Sequence, residues 1–141
     1  MTITQTCGLA VAGYASLFGV RDLNDDVVEP GTFARSLARG RARVRCLYQH
    51  DPGAPIGVWD RIEEDARGLR VAGRLRSSTP QGAAVAALVR AGAVDGLSIG
   101  FRTVRATRTP DGVRRLIEID LWEISIVVFP MLPGARLAID S

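Results

Sequence analysis

A hydrophobic pattern with a period of two in the C-terminal third is the feature that most constrains the fold. Residues 97–107 and 113–129 both alternate in this way, and segment 109–112 between them, TPDG, is a turn signal. Alternation of this kind predicts two β-strands joined by a tight turn. The second run exceeds the usual length of a strand, so we expect a bulge or a break near Asp120.

Shorter segments extend the β-rich pattern towards the N-terminus. Strands are predicted at 8–18, 27–29, 44–50, 56–63 and 68–76, and the last two form a hairpin around the turn at 65–68. We expect the DPGAP segment at 51–55 to break the strand that ends at His50. The predicted fold is mostly β with peripheral α: a closed or nearly closed antiparallel β-barrel of about seven strands.

Two stretches have helical features, and we expect two or more helices on the outside of the barrel. The first is 32–40, with Thr32 as its N-cap and a closing glycine. The second is 80–91, with Ser78 or Thr79 as the cap and Gly92 as the terminator. The length of 141 residues suits one domain over 1–141.

Composition excludes several classes of protein. With 47% hydrophobic and 23% charged residues, the chain is neither disordered nor fibrous. No apolar run reaches membrane-spanning length, and the N-terminus lacks the basic start of a secretory signal. We therefore expect a cytoplasmic protein without a membrane partner.

The eighteen basic residues are all arginine, which excludes a serine–lysine catalytic dyad. They form a dense cluster only at 39–45, without interleaved aromatic residues, so we expect solvated charge there and no nucleic-acid partner. Cys7 and Cys46 fit reduced thiols at least as well as a disulfide. With one histidine and no C-x-x-C motif, we predict no metal and no cofactor.

His50, the only histidine, and Ser98, in the GLSIGF segment at 96–101, are the candidate base and nucleophile. A serine hydroxyl is a poor nucleophile unless a neighbouring base removes its proton, and histidine suits that task. The G-x-S-x-G match at 96–100 also fits a nucleophile elbow, but no histidine follows Ser98 and the next residues alternate like a strand. We interpret the glycines as allowing another backbone or a substrate to approach this strand closely.

Glu123 lies in an otherwise apolar strand, where a carboxylate is costly unless it is paired. It is our candidate for the acid that orients His50. It could instead form a cross-strand ion pair with Arg102 or Arg105. Asp51 competes as the orienting acid because it adjoins His50, although adjacent residues on a strand point to opposite faces.

The order His50, Ser98, Glu123 occurs together with several short motifs. They are GYAS at 13–16, Asp25, PGTF at 30–33, YQH at 48–50, IG at 56–57, GL at 68–69, GLSIGF at 96–101, LWEIS at 121–125 and Pro130. This set resembles the prohead (head maturation) protease family of tailed bacteriophages and phage-like particles. The resemblance extends over about 8–137.

The resemblance implies a serine endopeptidase distantly similar to herpesvirus assemblin. It implies a location in the bacterial cytoplasm, inside the assembling procapsid, and cleavage of a scaffold protein, the N-terminal segment of the major capsid protein, or the enzyme itself. The host particle would be a phage, a prophage remnant or a gene transfer agent. Assemblin likeness also makes a homodimer plausible.

The family's histidine falls on His50 and its serine on Ser98, while the acid of the L-x-E-x-S segment falls on Glu123. Assemblin-like relatives use a second histidine instead, which this chain does not possess. The alternative is a non-catalytic module that binds capsid or scaffold protein through the same barrel. Convergence of the three side chains distinguishes the protease from the binding module.

Overall fold

The computed structural model describes residues 8–140, which form eight strands and two α-helices. In chain order these elements are β1 (Leu9–Leu17), β2 (Asp26–Val28), α1 (Ala34–Ala38), a 3-10 turn (Arg41–Arg43), β3 (Arg45–Tyr48), β4 (Asp51–Glu64), β5 (Gly68–Leu75), α2 (Pro80–Arg90), β6 (Gly96–Arg108), β7 (Arg114–Val127) and β8 (Leu137–Ile139). The prediction of a mostly-β protein is confirmed.

All eight strands belong to one curled sheet. Its order is β2-β7-β3-β4-β5-β1-β8, with β6 paired to β7. The sheet is a half-barrel that is open rather than closed, and one isolated bridge from Gly96 to Arg136 joins the start of β6 to the residue before β8. The pairs β1–β5, β4–β5 and β6–β7 are antiparallel, whereas β2 and β3 both run parallel to β7. The sequence predicts a closed or nearly closed antiparallel barrel. Its closure is not confirmed, and the parallel pairing of β2 and β3 with β7 corrects the expectation that the strands are antiparallel.

The reversal before β4 is tighter than the sequence predicts. Segment 51–55 does not break a strand but belongs to β4, and the chain turns at Gln49 and His50, so that Tyr48 pairs with Asp51. Two register shifts between β3 and β4 accommodate the prolines of this segment. His50 thus lies in a turn and not at the end of a long strand.

The bulge expected near Asp120 lies two residues further along the chain, at Trp122. Gly100 pairs with Glu123 and Phe101 pairs with Leu121, which leaves Trp122 without a partner residue on β6. The indole is 55% exposed, whereas the side chain of Ile124 is fully buried. The period of two predicts that Trp122 and Ile124 share one face of the strand. Because of the bulge, Ile124 faces the core and Trp122 does not.

The helices differ in how well their caps are predicted. In α2 the Thr79 side chain accepts a hydrogen bond from the Gly82 nitrogen at 3.1 Å, so this predicted cap is confirmed. In α1, by contrast, the Thr32 hydroxyl is buried against the main chain of β7, 2.7 Å from the Leu116 oxygen. Glu64 accepts hydrogen bonds from the backbone before α1 instead, so the predicted Thr32 cap is wrong.

The core fills the inside of the curl. Ile56 of β4, Leu69 of β5 and Phe33 before α1 are fully buried, and Val85 of α2 packs against the same cluster. Within residues 8–140 no helix has the length and apolar character needed to cross a membrane. Cys46 is a buried free thiol, whereas Cys7 lies outside the described residues.

Candidate active site

The C-terminal half of β7 lies between the two strands that lead to the candidate base and nucleophile. On one side β3 runs parallel to it, with Leu47 opposite Ser125, and continues directly into His50. On the other side β6 runs antiparallel, with Ser98 also opposite Ser125. Residues that are distant in the sequence are therefore brought to one place by the pairing of three adjacent strands.

His50 lies in a two-residue turn with unusual backbone angles. Gln49 and His50 have φ values of 56° and 60°, and positive φ at both positions is the pattern of a type I′ hairpin turn, which favours asparagine and glycine. Each such residue costs on the order of 1 kcal/mol when it is not glycine. The turn thus has a histidine at a position where glycine or asparagine would be less strained.

Three hydrogen bonds between this turn and β7 or the residue after β7 hold the turn in place. The Gln49 nitrogen donates to the Ile126 oxygen at 2.9 Å, and the Val128 nitrogen donates to Gln49 Oε1 at 2.8 Å. The His50 nitrogen donates to Ser125 Oγ at 3.0 Å. Strained conformations persist only where their surroundings fix them, and these three bonds provide that constraint.

The Glu123 carboxylate joins the histidine ring to the serine beside it. Its Oε2 lies 2.5 Å from His50 Nδ1, and its Oε1 accepts a hydrogen bond from Ser125 Oγ at 2.6 Å. The carboxylate side chain is only 13% exposed, whereas that of the histidine is 44% exposed. The hydrogen bond that the ring donates to Glu123 raises the pKa of His50 above its usual value of 6.5, and desolvation opposes this only in part.

This contact also selects the tautomer of His50. A carboxylate on Nδ1 keeps a proton on that nitrogen, so the neutral ring carries its lone pair on Nε2. The ring can then accept a proton at Nε2 while Glu123 stabilises the resulting imidazolium. Such an arrangement is suited to general-base chemistry.

Gly100 makes room for the glutamate. A Cβ atom built on Gly100 would lie 2.1 Å from Glu123 Oε2, so the carboxylate side chain passes directly over this residue of β6. At Gly96 the close neighbours are the Val127 oxygen and the Pro130 ring. The two glycines around Ser98 therefore permit close approaches, as the sequence predicts, and at Gly100 the approaching group is a side chain of the site itself.

Ser98 and His50 line the same cavity, which has a volume of about 170 Å³. Ser98 is 8% exposed and lies inside β6, not at a strand-to-helix turn, so the nucleophile-elbow geometry is absent from this part of the described chain. No hydrogen bond joins the Ser98 and His50 side chains within residues 8–140. Such bonds often tighten only in a complex with substrate.

The cavity beyond these two residues is mixed in character. Its apolar wall includes Leu97, Phe101, Leu116 and Leu132, and its polar side includes Asp22, Asp26 and Arg114. Asp26 and Arg114 form a bidentate pair, with both N–O distances at 2.9 Å. The cavity therefore offers both apolar and polar contacts to a group bound beside Ser98.

Two of the alternative partners, Arg102 and Asp51, contact other residues. Arg102 lies 3.9 Å from Asp120, not against Glu123, and Asp51 accepts a hydrogen bond from the Gly53 nitrogen. The Cys46 thiol is a poor nucleophile, because burial and then the nearby Glu123 carboxylate raise its pKa to about 12. Within residues 8–140, histidine, cysteine and carboxylate side chains do not form a group of three or more that could hold a metal ion.

Ser125 and Gln49 belong to the site, although they are not among the residues predicted from the sequence. Ser125 has a usable signal, because it is a polar residue two positions from Glu123 and so on the same face of the strand. Gln49 has no signal of its own, since its contact with Val128 depends on how β3 and β7 pair. Both side chains accept a hydrogen bond from a main-chain nitrogen, and Ser125 also donates one to Glu123, so a search for catalytic side chains overlooks them.

Known proteins with similar sequences support the motif analysis. A family model described as caudovirus prohead serine protease matches residues 2–141. The chain is 33% identical over 129 residues to the prohead protease of Enterobacteria phage HK97. That alignment covers 89% of this chain and 57% of the phage protein, so the chain spans little more than half the length of this curated relative.

Solved structures with a similar fold include one phage protein and two herpesvirus proteins. The bacteriophage T4 capsid assembly protease has a TM-score of 0.71 at 17% identity, with 85% of this chain and 82% of that chain covered. A KSHV protease in complex with a hexapeptide phosphonate inhibitor gives 0.62 at 16% identity, covering 95% and 65%. The varicella-zoster virus protease gives 0.53 at 17%, covering 92% and 63%.

At these identities the structural likeness concerns the fold alone, and it confirms the assemblin-like architecture expected from the motifs. The family model extends over nearly the whole chain and includes the turn of His50, the Ser98 strand and the Glu123 strand. The chain therefore belongs to the caudovirus prohead serine protease family.

Proposed function

We propose that this chain is a serine endopeptidase that cleaves a scaffold protein or the N-terminal segment of the major capsid protein during procapsid maturation. Membership of the prohead protease family and the likeness to the HK97 and T4 proteins support this function. The single observation that carries it is the convergence of His50, bonded to Glu123, with Ser98 at one cavity. A module that only binds its partner has no need of that arrangement.

The proposed mechanism assigns one role to each of the three side chains. Ser98 Oγ attacks the scissile carbonyl carbon while His50 Nε2 accepts the hydroxyl proton. Glu123 holds the Nδ1 proton and stabilises the charged ring in the transition state. His50 then passes the proton to the leaving amine, and a water molecule, activated by the same ring, releases the acyl group from Ser98.

The proposed setting is the interior of an assembling procapsid in the bacterial cytoplasm. The particle is a phage, a prophage element or a gene transfer agent. We expect no membrane or nucleic-acid partner, and the exposed arginines at 39–45 should give no DNA retention that survives physiological salt. A homodimer is the expected oligomeric state if the assemblin likeness extends to assembly, and light scattering coupled to gel filtration tests it.

The decisive experiment is co-expression with the major capsid protein of the same particle, followed by intact-mass measurement of both chains. Wild-type protein should shorten the capsid protein at a defined site, and Ser98→Ala should leave it at full length. Ser36→Ala is the matched control, because Ser36 is also 8% exposed but does not line the cavity. It should cleave like the wild type.

Three outcomes contradict the proposal in different ways. Cleavage by a folded Ser98→Ala variant would remove Ser98 from the mechanism. A full-length capsid protein that co-purifies with the wild-type chain would favour the binding module. Unchanged cleavage in His50→Gln would likewise show that the proton acceptor has been assigned wrongly.

A further inference from the structure

The Ser125 hydroxyl occupies a place in the site that the mechanism above does not use. It is fully buried, 3.0 Å from the His50 backbone nitrogen and 2.6 Å from Glu123 Oε1. A backbone N–H can only donate and an ionised carboxylate can only accept. The hydroxyl therefore accepts the first hydrogen bond and donates the second, so one group connects the backbone of the proposed base to its carboxylate partner.

These two bonds act on different parts of the same residue. The first holds the main chain of His50 in a conformation with φ of 60°, which a free histidine seldom adopts. The second is charge-assisted and holds the carboxylate that meets the imidazole ring. Loss of the hydroxyl should loosen the turn and the carboxylate together, and both changes displace the ring.

We propose that Ser125 is a positioning residue, which fixes the imidazole of His50 by holding its backbone and the Glu123 carboxylate in one hydrogen-bonded unit. It acts through these two residues and touches no reacting atom. The proposal rests on the proposed serine protease function, because positioning matters for catalysis only if His50 is the base.

The test compares Ser125→Ala with Ser36→Ala. The Ser36 hydroxyl is also buried and also accepts a hydrogen bond from a backbone nitrogen, that of Leu121 on the same strand, at 2.9 Å. Each variant loses one such hydroxyl, so general effects on the stability of the sheet are present in both. Only Ser125→Ala removes a contact to His50.

The first readout does not require activity. Because the chain has one histidine, the imidazole NMR signals report His50 alone. In Ser125→Ala we expect the Nδ1 proton signal to move or broaden and the pKa of His50 to fall, since the Glu123 bond that raises it is weakened. Ser36→Ala should match the wild type. Wild-type histidine signals in Ser125→Ala would overturn the proposal.

The second readout is the rate at which a fluorophosphonate probe labels Ser98, followed by mass spectrometry. We expect a fall of about 10- to 100-fold in Ser125→Ala and a change within about twofold in Ser36→Ala. Ser125→Thr keeps the hydroxyl and should recover most of the rate. A folded Ser125→Thr protein as slow as Ser125→Ala would overturn the proposal, and if it does not fold, the alanine pair decides alone.

Failure of this proposal and failure of the proposed function give different results. If wild-type protein neither takes up the probe at Ser98 nor cleaves capsid protein, the protease function is wrong. The histidine NMR comparison still decides whether Ser125 positions His50. If wild type is active and Ser125→Ala retains both the rate and the signals, only the positioning role is wrong.

Discussion

Gly100→Ala should slow the reaction at the site while leaving the fold intact. The added Cβ would lie 2.1 Å from Glu123 Oε2, and contacts under 3.0 Å essentially do not occur, so the oxygen must move by at least about 0.9 Å. Gly100 is not among the residues of positive φ, so the substitution introduces no backbone strain. All three atoms closer than 3.0 Å, namely Oε2, Cδ and Cγ, belong to the Glu123 side chain, so the displacement falls on this side chain and most of all on its carboxylate.

The size of the effect follows from the hydrogen bond that is lost. The distance from His50 Nδ1 to Glu123 Oε2 is 2.5 Å, and a displacement of about 0.9 Å away from the ring brings it to about 3.4 Å, beyond hydrogen-bond range. A hydrogen bond to a charged group contributes about 1.5–3 kcal/mol. If the bond strengthens in the transition state by a similar amount, the rate falls about 10- to 150-fold.

The assay is the second-order rate constant for fluorophosphonate labelling of Ser98, with urea unfolding measured in parallel. Gly53→Ala is the control for a strand glycine, because its added Cβ would meet only the Asp51 carboxylate, at 3.2 Å. We expect Gly100→Ala to change the free energy of unfolding by less than about 1 kcal/mol. A folded Gly100→Ala protein with the wild-type labelling rate would refute the argument that this glycine makes room for a working carboxylate.

Three further predictions concern the pH profile, an ion pair and a helix cap. Glu123→Gln should lower the pKa of His50 towards 6.5, since the carboxylate that raises it is lost, so the acid limb of kcat/KM moves to lower pH while its plateau falls; an unmoved limb would exclude His50 as the titrating base. Because the pKa of His50 is raised in the folded protein, its contact with Glu123 stabilises the fold at pH values below the pKa of the unfolded chain, and this stabilisation is lost as pH rises through the pKa of the folded protein. Urea unfolding of the wild type and of Glu123→Gln, measured over this pH range, checks the prediction. Asp26→Ala should lower the free energy of unfolding by about 2–3 kcal/mol, because it leaves the half-buried Arg114 guanidinium unpaired, and a loss under about 0.5 kcal/mol would show that the pair is unimportant. Thr79→Ala should lower the same quantity by about 1 kcal/mol through loss of its N-cap, and an unchanged urea midpoint would contradict this.

Most strands can be predicted from the sequence because a strand with one buried face has an apolar residue at every second position. β1, β5 and β6 lie within about two residues of their predicted bounds. The same signal does not report the direction of pairing, so the parallel alignment of β3 with β7 could not be predicted from it. Closure of the barrel also depends on how the strands pair. A curled, open sheet has the same alternation of buried and exposed residues as a closed barrel, so the sequence does not distinguish them.

The turn at Gln49 and His50 is invisible to sequence rules for a related reason. Turn preferences would place glycine or asparagine at positions with positive φ, so they argue against a reversal here. The strain is balanced by hydrogen bonds from residues far along the chain, including Ser125. Local propensity cannot predict a conformation that is stabilised by a distant strand.

The candidate catalytic residues could be identified because their chemistry is scarce in this chain. One histidine leaves one conventional base, and a carboxylate in an apolar strand requires a partner. The contact between His50 and Glu123 agrees with that reasoning. Their catalytic roles stay predictions until the Ser98 and His50 variants are measured.

The bulge at Trp122 explains how an apolar strand presents a carboxylate to the site. On either side of it, Leu121 and Ile124 are both buried, although they are three positions apart and would face opposite sides of a regular strand. Burial of each side chain contributes about 1.5–3 kcal/mol, so core packing fixes the phase of the strand on both sides and extrudes the extra residue, Trp122, towards solvent. Glu123 and the alternate residue Ser125 must then occupy the opposite face, beside the turn of His50. The apolar core thereby sets the direction of the carboxylate, and the hydrogen bonds complete its alignment.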